Sequence, residues 1–128
     1  MLKAGTGASG DPTYFFASGP VVKINLDLTN PIAYGGNAQL SIYDAQSPVF
    51  TGMPEEWVVA SFPTNPNEIF QSGWLDGASV LAGKACIVRA PAAVGTGHVV
   101  LFGTNITYRM QALGSYFLLW NAIMNWNG

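Results

Sequence analysis

Cys86 and His98 are the single cysteine and the single histidine of the 128-residue chain, and they are the residue types from which a thiol site could be built. A neighbouring imidazolium lowers a thiol pKa and supplies the thiolate that acts as nucleophile. The surroundings of each favour packing instead. Cys86 lies in Lys84-Ala85-Cys86-Ile87-Val88, an apolar strand pattern with no flanking glycine to make the sharp elbow on which catalytic nucleophiles are presented. A free cysteine in such a run behaves as a small core hydrophobe. Glu55-Glu56 and Asp76 are carboxylates near loops, but adjacent residues on an extended chain point to opposite faces, and a solvated turn before Trp57 is the expected role. Gly95-Thr96-Gly97 precedes a strand rather than a helix, so it lacks the helix N-terminus that makes glycine loops bind phosphate. Asn105-Ile106-Thr107 fits the glycosylation acceptor pattern, a coincidental match because Met1 to Pro12 has no apolar stretch of a secretory signal.

Binding chemistry has better candidates. Tyr34, Trp57 and Trp74 are expected at strand ends or loops, where an aromatic body with a polar tip can stack on a sugar ring or a partner surface. Arg109 is the only Asp, Glu, Lys or Arg from Ala90 to Gly128. Its planar guanidinium suits a carboxylate or sugar hydroxyls; the alternative role is to anchor its own loop on backbone carbonyls, which the residues favour. These four form the candidate site of a small-ligand or carbohydrate-binding module. No metal or cofactor set is expected.

The elements that would position these residues follow from periodicity. Val22, Ile24, Leu26 and Leu28 alternate with Lys23, Asn25 and Asp27, which predicts a half-buried strand over 21–28. Short strands are predicted at 32–34, 40–43, 49–50 and 57–62, separated by Thr29-Asn30-Pro31, Gly35-Gly36-Asn37 and a Pro/Asn loop after Phe62. Continuous apolar runs at 85–89 and 98–102 predict a hairpin whose two strands are both central. The period then changes: Leu113, Tyr116, Phe117, Trp120, Ile123 and Met124 fall on one face of a helix expected over 110–126, with Leu118, Leu119 and Ala122 as a second apolar flank. The expected fold is α+β: a mostly antiparallel sheet of about six to eight short strands with one C-terminal helix packed on it. It is read as a single domain, with 1–19 a loosely ordered lead-in, 20–104 β-rich and 110–126 helical.

Composition bounds the function. Asp, Glu, Lys and Arg make up 9 % of the chain, against about 25 % in an ordinary soluble domain. A net charge of -2 is not that of a basic nucleic-acid binder. A content of 49 % hydrophobic residues exceeds that of a solvated coil. No apolar run approaches the ~20 residues of a bilayer span, so neither nucleic acid nor membrane is an expected partner, and the compartment is left open. The scarcity of charge is greatest in the hairpin and C-terminal helix, which marks them as a seam between subunits, most simply of a homodimer.

Gly97-His98-Val99-Val100-Leu101-Phe102-Gly103, then Tyr108-Arg109, Gln111, Gly114 and Phe117-Leu118-Leu119-Trp120-Asn121-Ala122-Ile123, resemble the C-terminal portion of the glutamine-amidotransferase-like domain that follows bacterial zinc carboxypeptidases. Asn30-Pro31-Ile32-Ala33-Tyr34-Gly35, Ser72-Gly73-Trp74-Leu75 and Leu81-Ala82-Gly83-Lys84-Ala85 resemble the same domain in the same order. The resemblance implies a family that is often exported and a chain that corresponds to the tail of a larger unit. The departures decide what chemistry it could retain. A His-x-x-Glu pair with a distant second His, the zinc set of such peptidases, needs more than one histidine. The glutaminase thiol needs a His-x-Glu base, and His98 is followed by Val99 and Val100. The expectation is therefore a non-catalytic module that acts by self-association or protein contacts.

Overall fold

The computed structural model describes residues 14–110 and 112–125. In chain order the strands are β1 (Phe16–Ala17), β2 (Val21–Leu26), β3 (Gln39–Tyr43), β4 (Val58–Ser61), β5 (Phe70–Ser72), β6 (Leu75–Asp76), β7 (Ala85–Pro91) and β8 (His98–Phe102), followed by α1 (Tyr116–Met124). Every strand pairing is antiparallel, and one helix closes the chain, so the protein is α+β. Six strands form one sheet in the order β3-β2-β4-β7-β8, with β5 also paired to β2; β1 and β6 form a separate two-stranded ribbon.

β2 organises one half of the main sheet. Its alternation places Val22, Ile24 and Leu26 in the core while Val21, Lys23 and Asn25 stay half-buried. One edge pairs along its length with β3; the other is shared by β5 at Val21–Val22 and β4 at Asn25–Leu26. The strand stops at Leu26, two residues earlier than alternation predicts, because the Asp27 carboxylate accepts bonds from the Thr29 N–H (3.0 Å) and hydroxyl (2.7 Å). That local turn rotates Leu28 out to 51 % exposure.

Three other expectations are corrected by capping and backbone sterics. Residues 32–34 are not a strand: the Asn30 side chain accepts from the Ile32 N–H at 3.1 Å and Pro31 opens a 3-10 turn over Pro31–Ala33. Trp57 ends a 3-10 turn, Glu55–Trp57, and β4 begins only at Val58. The helix does not start at Met110. Arg109 and Met110 take the left-handed conformation (φ 45° and 58°), which breaks right-handed continuity; a 3-10 turn over Leu113–Ser115 then leads into α1. Its expected end at Trp126 lies outside the described residues, as do Gln111 and residues 1–13 of the expected lead-in. The described part of that lead-in is ordered into the fold: Phe15 and Ala17 are core residues and Phe16–Ala17 pairs with Leu75–Asp76.

The hairpin forms as predicted, with Ile87 opposite Phe102 and Arg89 opposite Val100, but its strands differ. β7 lies between β4 and β8 and is buried on both faces from Ala85 to Val88; β8 is an edge strand. From β8 the chain passes through Gly103, whose N–H donates to the Cys86 carbonyl at 2.7 Å. A Cβ on Gly103 would lie 2.3 Å from the Pro48 carbonyl oxygen and 2.8 Å from that of Cys86. Two backbone carbonyls cannot retreat as a side chain could, so Gly103→Ala is expected to destabilise the fold by about 1–3 kcal/mol. Gly97→Ala, with open space around the new methyl, is expected to change stability by less than about 0.5 kcal/mol; urea unfolding of the two variants checks the contrast.

Candidate functional site

The two groups that could make a thiol site are kept apart. Cys86 lies at the Gly103 end of the hairpin and His98 pairs with Pro91 at the other, a separation of about 17 Å along the strand. Cys86 is fully buried, and burial, reinforced by the charge of nearby Asp44, pushes its thiol well above the usual range. His98 instead has its Nδ1 3.3 Å from Arg89 Nη2. Among the described residues no cluster of His, Cys, Asp and Glu is placed to hold a metal ion, and no helix is long and apolar enough to cross a membrane. A thiol reagent is expected to leave native protein unmodified over hours at pH 7 and to label Cys86 at once in denaturant, read by mass spectrometry.

Among the described residues Asp44 is the one buried carboxyl, at 0 % exposure. Its Oδ1 accepts from the Ser47 N–H at 3.2 Å, while Oδ2 is buried without a hydrogen-bond partner among the described residues. Desolvation outweighs the Ser47 bonds and raises its pKa above the ordinary value of 3.8. A carboxyl that holds its proton more tightly when folded contributes stability below its unfolded pKa and loses it as pH rises through the folded one. Asp44→Asn is accordingly expected to flatten the decline in unfolding free energy as pH rises above the ordinary carboxyl value of 3.8, measured by denaturation as a function of pH.

Of the four candidate binding residues, Tyr34 and Trp74 line different clefts. Tyr34 is 79 % exposed and lines a cleft with Pro31, Asn121 and Met124; Trp74, 69 % exposed, lines another with Phe70, Gly73 and Leu75. Trp57 is half-buried and lines neither. Arg109 is exposed, with its guanidinium carbon 5.1 Å from the centre of the Tyr108 ring, which stacks in turn on Tyr43 at 4.2 Å and 2° between planes. The contact of Arg109 is thus a cation on an aromatic face, in place of the carbonyl anchor expected. Four clefts on the described surface enclose 190 to 270 Å³, below the roughly 300 Å³ at which small-molecule pockets begin.

What the structure does assemble is the outer face of α1. The Asn121 side-chain amide donates to the carbonyls of Ile32 (2.9 Å) and Tyr34 (2.8 Å), holding the helix on the 31–34 turn. Gly36 admits the Phe117 ring: a Cβ there would lie 2.7 Å from it. Leu118 is fully buried, with Phe117, Leu119 and Ala122 packed on the core around it. This turns outward much of the stripe expected to face inward: Leu113, Trp120, Ile123 and Met124 are 60 %, 61 %, 51 % and 76 % exposed. Periodicity located both apolar flanks of the helix but could not tell which one the Asn121 bonds would turn inward.

Fold and geometry together define an antiparallel α+β module with a buried thiol, shallow clefts and one apolar helix face in solvent. Compared with known proteins, the chain matches no family model, no curated protein and no solved structure.

Proposed function

We propose that this chain is a non-catalytic α+β module, related to the tail of the amidotransferase-like domain behind bacterial zinc carboxypeptidases, that acts by self-association. The observation that carries the reading is the exposed face of α1, where Trp120, Ile123 and Met124 lie together and Tyr34 shares a cleft with Met124. Trp120, Ile123 and Met124 are 61 %, 51 % and 76 % exposed on successive turns of one helix, the kind of contiguous apolar surface that marks an interaction site. A tryptophan near the middle of the face is the residue type on which interface energy concentrates.

The charge pattern favours a second copy over another partner. From Met110 to Gly128 there is no Asp, Glu, Lys or Arg. Two such faces meet without like-charge repulsion or buried ions, whereas a charged partner finds nothing to pair with. The carbohydrate reading would require one concavity lined by Tyr34, Trp57, Trp74 and Arg109, and Tyr34 and Trp74 line different clefts. Light scattering and sedimentation of the full chain are expected to show self-association that Trp120→Glu with Met124→Glu weakens at least about tenfold, with the circular dichroism unchanged. A wild-type mass that the double variant leaves unaltered overturns the helix-face assignment.

A further inference from the structure

We infer that β8 is a second self-pairing surface, which joins two copies of this chain by antiparallel β8–β8 pairing centred on Val100. The inference rests on the edge strand and not on the helix face.

The register specifies which backbone groups are available. The Ala92 N–H donates to the Gly97 carbonyl (2.8 Å) and the Gly103 N–H to the Cys86 carbonyl (2.7 Å), which marks the bonded pairs at the two ends of the hairpin. Bonded and non-bonded pairs alternate along an antiparallel ladder. Between those ends Val88/Leu101 and Ala90/Val99 are therefore the bonded pairs, and Ile87/Phe102, Arg89/Val100 and Pro91/His98 the non-bonded ones. The N–H and C=O groups of His98, Val100 and Phe102 consequently point away from β7, at the end of the sheet where no further strand pairs among the described residues.

Those three residues are spaced symmetrically about Val100. With Val100 opposite Val100 of a second copy, His98 meets Phe102 at both ends, and each of the three pairs exchanges two hydrogen bonds. Val99, 46 % exposed, then lies across from the second copy's Leu101, 43 % exposed. They meet at a non-bonded position, where facing side chains approach most closely. A generic peptide would satisfy the backbone, but the match of Val99 to Leu101 in both directions is a property of this strand against itself.

Among the described residues nothing guards this edge. Natural edge strands carry lysines, prolines, bulges or inward charges that discourage pairing; β8 reads His-Val-Val-Leu-Phe and its ladder with β7 runs without a bulge. The opposite edge strand, β3, is attended by the C-terminal segment, with Leu40 beside Gly114 and Tyr43 under the Tyr108 ring. Charge does not oppose the pairing either. The two Arg89–His98 contacts would sit four residues apart along the joined strands, about 14 Å, beyond the screening length of about 8 Å at physiological salt.

The test uses the full chain. Val99→Lys with Leu101→Lys, and separately Val99→Glu with Leu101→Glu, are each expected to remove one association step from the wild-type mass. Mixed in equal amounts they are expected to restore it, because each lysine then faces a glutamate. In wild-type protein, hydrogen exchange of the His98, Val100 and Phe102 amides is expected to slow at least tenfold from dilute to concentrated solution, while the Val99 and Leu101 amides, already bonded to β7, do not change. Wild-type mass retained by both charge variants, or concentration-independent exchange at 98, 100 and 102, overturns the inference, and the exchange readout holds even if a variant folds poorly. Assembly lost in Trp120→Glu with Met124→Glu while β8 amides stay unprotected would overturn this pairing and leave the helix-face reading standing. Assembly lost only in the β8 variants would do the reverse.

Discussion

The hydrogen bond from the Gly103 N–H to the Cys86 carbonyl is the point from which the C-terminal segment of the molecule takes its direction. It closes the β7–β8 ladder and holds the chain where Pro48 approaches from the other side, in space that only a missing Cβ leaves open. From there the chain runs back to the far edge of the sheet. Ile106 enters the core, Tyr108 stacks on Tyr43 of β3, and the Ser115 hydroxyl lies within hydrogen-bond reach of both the Ile106 and the Ala112 carbonyls, its one proton shared between them, before the helix begins.

That return path also divides what composition had joined. The charge-poor hairpin and the charge-poor helix read as one seam, yet α1 rests on the Pro31–Ala33 turn and its leading segment on β3, at the opposite end of the sheet from β8. Two separated neutral surfaces have a different consequence from one. If both surfaces self-associate as proposed, each closes on itself about its own two-fold axis and the chain builds assemblies larger than a dimer.

Much of the fold was legible because local rules and tertiary packing agree there. Val22, Ile24 and Leu26 alternate as the sheet requires, and Gly95 and Gly97 lie in the loop of the hairpin they were read to make. Legibility failed where a short polar side chain or a backbone conformation overrode the pattern. Asn30 turned an apparent strand into a 3-10 cap, Asp27 cut β2 short at Leu26, and left-handed Arg109 and Met110 delayed the helix to Tyr116. The candidate site was less legible still. Tyr34, Trp57, Trp74 and Arg109 have in common only residue types suited to binding, and type carries no information about whether loops from different parts of a chain converge.

The sequence by itself determined the period of each element, the antiparallel α+β class and the absence of charge from the C-terminal tail, because these depend on neighbours a few residues apart. Only the tertiary structure decided which side of each element meets the core. In most proteins charged residues mark the solvent side of a helix, but α1 has none, and its two apolar flanks are equivalent by periodicity alone. The choice between them fell to Asn121, whose amide finds the Ile32 and Tyr34 carbonyls, and to the groove at Gly36 that accepts Phe117. Both are contacts across most of the chain, and they leave Trp120, Ile123 and Met124 facing water.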